Sequence, residues 1–146
     1  MVTIVEKIFQ SIEELIPLYM SNPADAAASK GVTAICIIDE NGQVHGKMFG
    51  SDKLRCRDTV KVAWTKANQV WITGYKTLEY ERFVFSNQIE YRQFGIIPPD
   101  FIGWEGGQPI TLLDGTKLSI GFSGFRGISD TGIVLKALEN AKIDIQ

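Results

Sequence analysis

Apolar side chains recur at steps of three and four residues in several parts of the chain, a spacing that predicts amphipathic helices. A short helix is also predicted after Asn22 and Pro23, because Asn caps free amides and Pro fits the first helical position. The most regular stripe comprises Val60, Ala63, Trp64, Ala67, Val70, Trp71 and Gly74. Two further stripes predict an N-terminal and a C-terminal helix and consist of Phe9, Ile12, Leu15, Ile16 and Tyr19, and of Ile133, Val134, Ala137, Leu138 and Ala141.

Strand patterns occupy other stretches. The apolar, β-branched run Thr33–Ile38 predicts a strand covered on both faces. Asn41-Gly42 predicts a tight turn into a strand over residues 43–49, and Asp114-Gly115 predicts a second hairpin between residues 109–113 and 116–123. Alternation along residues 44–49 puts Met48 on one face of the sheet and His45 on the other.

The order of these elements predicts one α+β domain over residues 1–146, with helices packed on an antiparallel sheet. Residues 77–93 are predicted as a further helix, although residues 83–85 also fit a strand. The charged clusters at residues 79–82 and 90–92 are interpreted as a solvated face of that helix. Residues 95–107 read as a loop that contains Pro and Gly.

Composition narrows the function classes. The net charge of −2 and the lack of a basic stripe argue against nucleic acid as a partner. No apolar run reaches membrane-spanning length, and the opening residues lack the basic start of a secretory signal, so we expect a cytoplasmic protein without a membrane partner. Cys36 and Cys56 lack the spacing of a zinc or redox pair, and with His45 as the single histidine we expect no metal site.

The strongest local candidate for a binding site is the turn at residues 121–127, which leaves a strand and enters the last helix. Its glycines, Gly124 among them, allow close approach of a ligand, and the helix start offers free amides beside Ser123. Arg126 adds a charged fork for an anion, and Ser129 or Asp130 is suited to cap the helix. The alternative is a tight structural turn without a ligand.

A second candidate is the loop at residues 104–109. Gly106 and Gly107 before a strand either shape the loop or line a ligand site. If Glu105 lies beside Trp104 in an apolar pocket, its pKa rises toward use as a general acid or base. Lys66 flanks the central helix stripe and is a second candidate for the reacting group.

Taken together, these motifs resemble those of the GlcG/HbpS-like family, which includes the C-terminal domain of PduO-type corrinoid adenosyltransferases. The resemblance covers nearly the whole chain and is carried by Gly31-Val32, Ile37 to Gly42, Ala63 to Ala67, Gly106 to Ile110, Ile120 to Gly124 and Asp130. It implies a profilin-like fold with a five-stranded antiparallel sheet, a homo-oligomer, and a pocket between the two glycine-rich loops. Some members of that family bind haem, so the resemblance also makes haem a candidate ligand.

The chain departs from the family pattern at the implied pocket. Phe125 follows Ser123-Gly124 where the family commonly has glycine, and Glu105 stands where a small residue is common. These departures favour a specialised small-molecule site over generic haem binding. We therefore expect a small-molecule-binding protein, in one form an isomerase, lyase or cyclase that needs no cofactor and acts on an oxygenated organic acid or an aromatic compound.

In this hypothesis Glu105 transfers a proton, amides near Ser123 and Gly124 hold an oxyanion, and Trp104 and Phe125 pack the substrate. The alternative is a haem or tetrapyrrole module without catalysis, with His45 or Met48 as the axial ligand. A purely structural or interaction domain is a third reading. The first two hypotheses require residues 104–109 and 121–130 to converge on one cavity.

Overall fold

The apolar run Thr33–Ile38 is strand β1 of the computed structural model and is buried at every position. It pairs antiparallel with β2 (Val44–Phe49) on one side and with β4 (Lys117–Ser123) on the other, and β3 (Gly107–Thr111) completes the sheet beside β4. The strand order is therefore β2-β1-β4-β3. The structure describes the backbone of all 146 residues and every side chain except those of Tyr91 and Arg92.

Five α-helices surround the sheet in the described backbone. Each predicted helix is present, and Asn22 caps the second through its side chain. The helices are α1 (Ile4–Met20), α2 (Pro23–Ser29), α3 (Lys53–Thr73), α4 (Thr77–Phe85) and α5 (Gly127–Asn140), with a 3-10 turn at Tyr91–Phe94. None of these helices combines the length and the apolar composition that crossing a bilayer requires.

The two faces of the sheet have different cores. On one face α1 and α5 pack large side chains against Ile35, Ile37, Ile120 and Phe122. On the other face α3 packs through small residues, because Ala63 and Ala67 meet Ala34 and Cys36. Small side chains let the α3 backbone approach the sheet more closely than a leucine-rich interface would.

Closest approach occurs where α3 crosses β4 at Gly121. A Cβ atom at Gly121 would lie 2.6 Å from the backbone nitrogen of Ala67 and would overlap the carbonyl oxygen of Ala63. No larger residue therefore fits at this position without moving α3. The contact brings Lys66, the residue before Ala67, against the end of β4.

Asp25 of α2 connects the first part of the chain to α5. Its buried carboxylate accepts hydrogen bonds from the backbone N–H of Arg126 (3.2 Å), from Arg126 Nε (2.9 Å) and from Ser129 Oγ (2.7 Å). Burial by itself would raise the pKa of Asp25, but the bonds from Arg126 and Ser129 outweigh it and the pKa is lowered. The carboxylate thus ties α2 to the start of α5. Ser129 and Asp130, expected to cap this helix, lie inside its first turn, because the helix begins at Gly127 with Arg126 at its N-cap and no side-chain cap.

Several expectations need correction. The implied fifth strand is not confirmed: the sheet has four strands, and the remaining β contact is a single bridge between Leu112 and Ile145. The helix predicted over residues 77–93 ends at Phe85, where Ser86 caps it and Asn87 takes a positive φ of 61°. The solvated face predicted for residues 79–82 and 90–92 is wrong at Tyr80, which is fully buried, whereas Glu79 and Arg82 are exposed. For residues 90–92 the prediction lies partly outside the described side chains.

The apolar stripe of α3 also differs from its sequence interpretation. The helix begins at Lys53, earlier than the stripe indicates, because Asp52 caps it by accepting from the backbone N–H of Arg55. Trp64 and Trp71 are exposed, whereas Lys66 is buried. The buried face is set by contact with the sheet, where a tryptophan would not fit against β1 and β4.

We predict that Asp25→Asn lowers the free energy of unfolding at pH 7 by about 1.5–3 kcal/mol, the scale of hydrogen bonds to a charged group. The folded-state pKa of Asp25 is lowered. The contribution of Asp25 to the free energy of unfolding is therefore complete above its unfolded-state pKa, about 3.9, and is lost as pH falls through its folded-state pKa. The difference between wild type and variant should therefore shrink below about pH 4. Urea denaturation across a pH series measures it.

Glu14→Gln, on the exposed side of α1, is the control for this measurement. It should change the free energy of unfolding by less than about 0.5 kcal/mol at every pH. If Asp25→Asn and Glu14→Gln behave alike, Asp25 does not stabilise the junction of α2 and α5.

Candidate functional site

The two glycine-rich loops converge on one cleft. Its volume is about 670 Å³, within the range of small-molecule sites. Residues from α2, α3, α4 and α5, from the loop before β3, and from the end of β4 and the turn after it line the cleft. They are Ala28, Arg55, Asp58, Thr59, Val62, Lys66, Leu78, Glu81, Gly103, Trp104, Glu105, Ser123, Gly124, Phe125, Gly127 and Asp130.

Lys66 forms the floor of this cleft. The residue is 1% exposed, and its Nζ donates to the backbone carbonyl of Phe122 (2.8 Å) and to Asp130 Oδ2 (3.3 Å). Burial lowers the pKa of the Lys66 amine, and the negative charges of Asp130 and Glu105 partly oppose this shift. An ammonium has three N–H donors, so one remains after these two bonds.

Asp130 is the buried partner of that amine. Its Oδ1 accepts the backbone N–H of Phe125 (2.8 Å), which closes the turn between β4 and α5, while Oδ2 faces Lys66. Burial raises the pKa of Asp130 to about 7, although Lys66 and the Phe125 amide act in the opposite direction. Because the two groups lie 3.3 Å apart, they titrate as a coupled pair.

Glu105 forms the wall beside Lys66. Its side chain packs on Gly127, the first residue of α5: a Cβ atom at Gly127 would lie 3.1 Å from Glu105 Cβ and 3.4 Å from Oε1. The carboxyl group thus lies near the positive end of the α5 dipole. Glu105 and Leu78 also border a second cavity of about 420 Å³, so Glu105 lies between the cleft and this second cavity.

The loop that carries Glu105 is fixed by side chains of α3 and α4. Thr77 Oγ1 donates to the carbonyl of Trp104 (2.5 Å) and accepts the N–H of Gly107 (3.2 Å). Gln69, buried in α3, exchanges two hydrogen bonds with the backbone of Ile102 (2.7 and 2.9 Å). Trp104 itself is exposed at the rim.

Gly106 lies directly above Lys66, which forms the floor of the cleft. It has a φ of +117°, and a Cβ atom there would lie 2.8 Å from Lys66 Nζ and overlap the carbonyl oxygen of Phe122. Gly107 packs as closely on Thr77. Both glycines are therefore required by close packing around Lys66, which is a more specific reason than loop flexibility.

The turn after β4 contributes Ser123, Gly124 and Phe125 to the cleft. Gly124 has a φ of +131° and packs on β1, where a Cβ atom would lie 2.6 Å from the carbonyl oxygen of Val32. Phe125 is largely committed to the core, since its ring stacks between those of Tyr19 and Phe122 with centroids 5.6 and 5.8 Å apart. Little of this side chain remains for a ligand, since Phe125 is 7% exposed.

Five residues proposed for binding do not line the cleft. Gly106 and Gly107 border the second cavity instead, and Arg126, His45 and Met48 lie elsewhere. The Arg126 guanidinium pairs with Asp25 on another side of the molecule and does not line the cleft, so the predicted anion fork is replaced by an internal ion pair. His45 donates to or accepts from Asp39 Oδ2 at 3.1 Å. Met48 is exposed on β2, and the alternation of the strand puts it on the face opposite His45.

Sequence reasoning missed Arg55, Asp58 and Glu81, which also line the cleft. Arg55 donates from Nε to the carbonyl of Ser29 (2.8 Å) and from Nη2 to that of Ala28 (3.0 Å), which ties α3 to the end of α2. The capping signal of Asp52 would have extended α3 and indicated that Arg55 and Asp58 belong to its first turns.

The residues of the cleft do not fit haem ligation by this chain. Among its described lining residues there is no His, Met, Cys or Tyr, the side chains that usually bind haem iron. His45 and Met48 lie outside it and on opposite faces of the sheet. No group of three or more His, Cys, Asp or Glu among the described residues is arranged to hold a metal ion.

This fold, an antiparallel sheet between one helix and a helix pair, occurs in solved structures. The PduOC:haem complex matches with a TM-score of 0.66 and 16% identity over 95% of this chain and 92% of that one. HbpS matches with a TM-score of 0.58 and 13% identity, over 96% of this chain and 90% of that one. The Klebsiella pneumoniae protein ORFY, described under DUF336, matches with a TM-score of 0.60 and 16% identity, over 94% of this chain and 87% of that one.

No family model and no curated protein matches the sequence. The structural likeness confirms the resemblance to GlcG/HbpS-like proteins at the level of the fold.

We predict that Gly106→Ala destabilises the protein more than Gly115→Ala does. Gly115 has a φ of +90° with open space around it, so alanine there carries only the backbone cost, about 1–2 kcal/mol. At Gly106 the added methyl also displaces Lys66 or Phe122, which should add about 1–3 kcal/mol. Chemical denaturation of both variants measures the difference. Equal losses would show that Gly106 is not packed against the floor.

Proposed function

We propose that the chain binds a small, neutral, oxygenated aromatic compound in the cleft above Lys66 and catalyses a proton transfer on it without a cofactor. The observation that carries this proposal is the buried amine of Lys66, which lies 3.3 Å from Asp130 and close enough to Glu105 for their charges to interact. An amine and two carboxyl groups in one cleft provide the donors and acceptors that proton transfer needs.

The shape and polarity of the walls support an aromatic ligand. Val62, Leu78 and Trp104 present apolar surface to the cleft, and the edge of Phe125 adds to it. Such walls bind flat, apolar rings, while the polar groups at the floor orient the oxygen atoms.

The charges of the lining favour a neutral ligand over an organic acid. Asp58, Glu81, Glu105 and Asp130 are carboxyl groups, whereas only Arg55 and Lys66 are cationic. Arg55 is already bonded to two carbonyls, and Lys66 to Phe122 and Asp130. A carboxylate ligand would therefore meet mainly like charges, which weaken binding.

Each polar group has a role in this proposal. The remaining N–H of Lys66 donates to the carbonyl or hydroxyl oxygen of the ligand and polarises it. Glu105 removes or returns a proton at the neighbouring carbon, and amides near Ser123 and Gly124 assist with negative charge that develops on the oxygen. The reaction class is that of an isomerase, a lyase or a cyclase.

We predict that the protein speeds the exchange of the methyl protons of acetophenone with D2O, and that Glu105→Gln reduces this exchange by at least about 100-fold, the lower range for a general base. Glutamine keeps the size of the side chain but cannot accept the proton. Proton NMR measures the exchange rate, and thermal shift shows whether acetophenone still binds the variant.

Glu79→Gln serves as the matched control, because Glu79 lines the second cavity but not the cleft. It should leave the exchange rate unchanged. Full activity of Glu105→Gln, or an equal loss in both variants, would remove Glu105 from the mechanism.

Haem binding without catalysis is a second candidate, because the fold is shared with a haem complex of PduOC. The axial ligand expected in this case is His45 or Met48, which lie outside the cleft. If the chain is a haem module, haemin titration should give a sharp, saturable Soret band that His45→Ala or Met48→Ala abolishes. Broad absorption that does not saturate would exclude this function. The homo-oligomer and the cytoplasmic location remain predictions.

A further inference from the structure

We propose that Lys66 Nζ forms a transient imine with an aromatic aldehyde or ketone held in the cleft. The inference rests on the proposed function and deepens it, since it assigns the substrate a carbonyl group and gives Lys66 a covalent role.

Lys66 is the single amine among the described residues that line the cleft. The other cation, Arg55, has a guanidinium that does not form imines and is bonded to the end of α2. A carbonyl compound that enters the cleft and reaches its floor therefore meets one nucleophilic nitrogen.

The surroundings of Lys66 favour the neutral form that a nucleophile requires. The residue is 1% exposed, and Gly106 and Gly121 pack closely around its side chain. Burial lowers the pKa of the amine, as in lysines that act as nucleophiles in desolvated sites. Asp130 Oδ2, at 3.3 Å, is positioned to take the proton from the ammonium.

The reaction balances with the groups present. Nζ attacks the carbonyl carbon, the C–N bond forms, and the carbonyl electron pair moves to oxygen. Asp130 and Glu105 relay protons from nitrogen to that oxygen, which leaves as water when the C=N bond forms. In the overall balance both hydrogens of the water come from the neutral amine. Asp130 then returns to the imine nitrogen the proton that it took from the ammonium, and hydrolysis reverses the sequence.

The contacts of Lys66 suit this product. A protonated imine keeps one N–H, and the carbonyl of Phe122, at 2.8 Å from Nζ, can still accept it. Asp130 then balances the positive charge. One of the two existing hydrogen bonds of Lys66 is therefore kept in the imine, and the other is replaced by the charge attraction to Asp130.

Reductive trapping tests the proposal. The full chain is incubated with benzaldehyde or acetophenone and sodium cyanoborohydride, which fixes an imine as a stable secondary amine. Peptide mapping by mass spectrometry then compares Lys66 with Lys61, an exposed lysine on the same helix. We expect at least about tenfold more adduct at Lys66, because the cleft holds the carbonyl compound beside Nζ, whereas Lys61 reacts only with compound from solution. Thermal shift with the same compounds, without reductant, reports binding.

The outcomes separate the two proposals. Preferential adduct at Lys66, absent in Lys66→Arg, supports the imine, and mapping of the wild-type protein supports it even if the variant does not fold. Binding without adduct, or equal labelling of Lys61 and Lys66, overturns the imine and leaves the binding proposal in place. Neither binding nor adduct overturns both.

Discussion

The close approach of α3 to β4 at Gly121 is the constraint on which the cleft depends. Because no Cβ atom intervenes, the α3 backbone lies against the strand, and Lys66 is forced beneath the surface instead of pointing into solvent. A buried amine without partners would be strongly destabilising. The chain meets this requirement with the Phe122 carbonyl at the end of β4 and with Asp130 from α5.

That requirement explains why the two glycine-rich loops meet. Asp130 must reach Lys66, and its second oxygen holds the amide of Phe125, so the turn after β4 is closed over the amine. Gly106 must pass above Nζ with no side chain, which brings Glu105 to the same place. The site is thus a consequence of satisfying one buried charge, and its carboxyl groups are close together because the fold requires them there.

Local rules predicted much of the fold from the sequence. Asn41-Gly42 and Asp114-Gly115 mark both hairpins, and Asn22 with Pro23 marks the start of α2, because such turns and caps depend on neighbouring residues alone.

The convergence of residues 104–109 and 121–130 followed from the resemblance. The role of Arg126 could not be predicted locally, since its partner Asp25 lies 101 residues away. The sequence identified Lys66 as a candidate reacting group. Its burial could not be predicted locally, because it depends on the close packing of α3 on Gly121.

The fold alone does not determine the ligand. Relatives at 13–16% identity share the backbone, whereas the chemistry of the cleft comes from side chains that such distances leave free to change. In this chain Glu105 and Phe125 replace small residues expected from the family pattern. The first adds a carboxyl group at the start of α5, and the second fills space with a ring stacked on Tyr19. Glu105 makes the cleft more acidic, which supports the proposal of a small neutral ligand over a dianionic one such as haem.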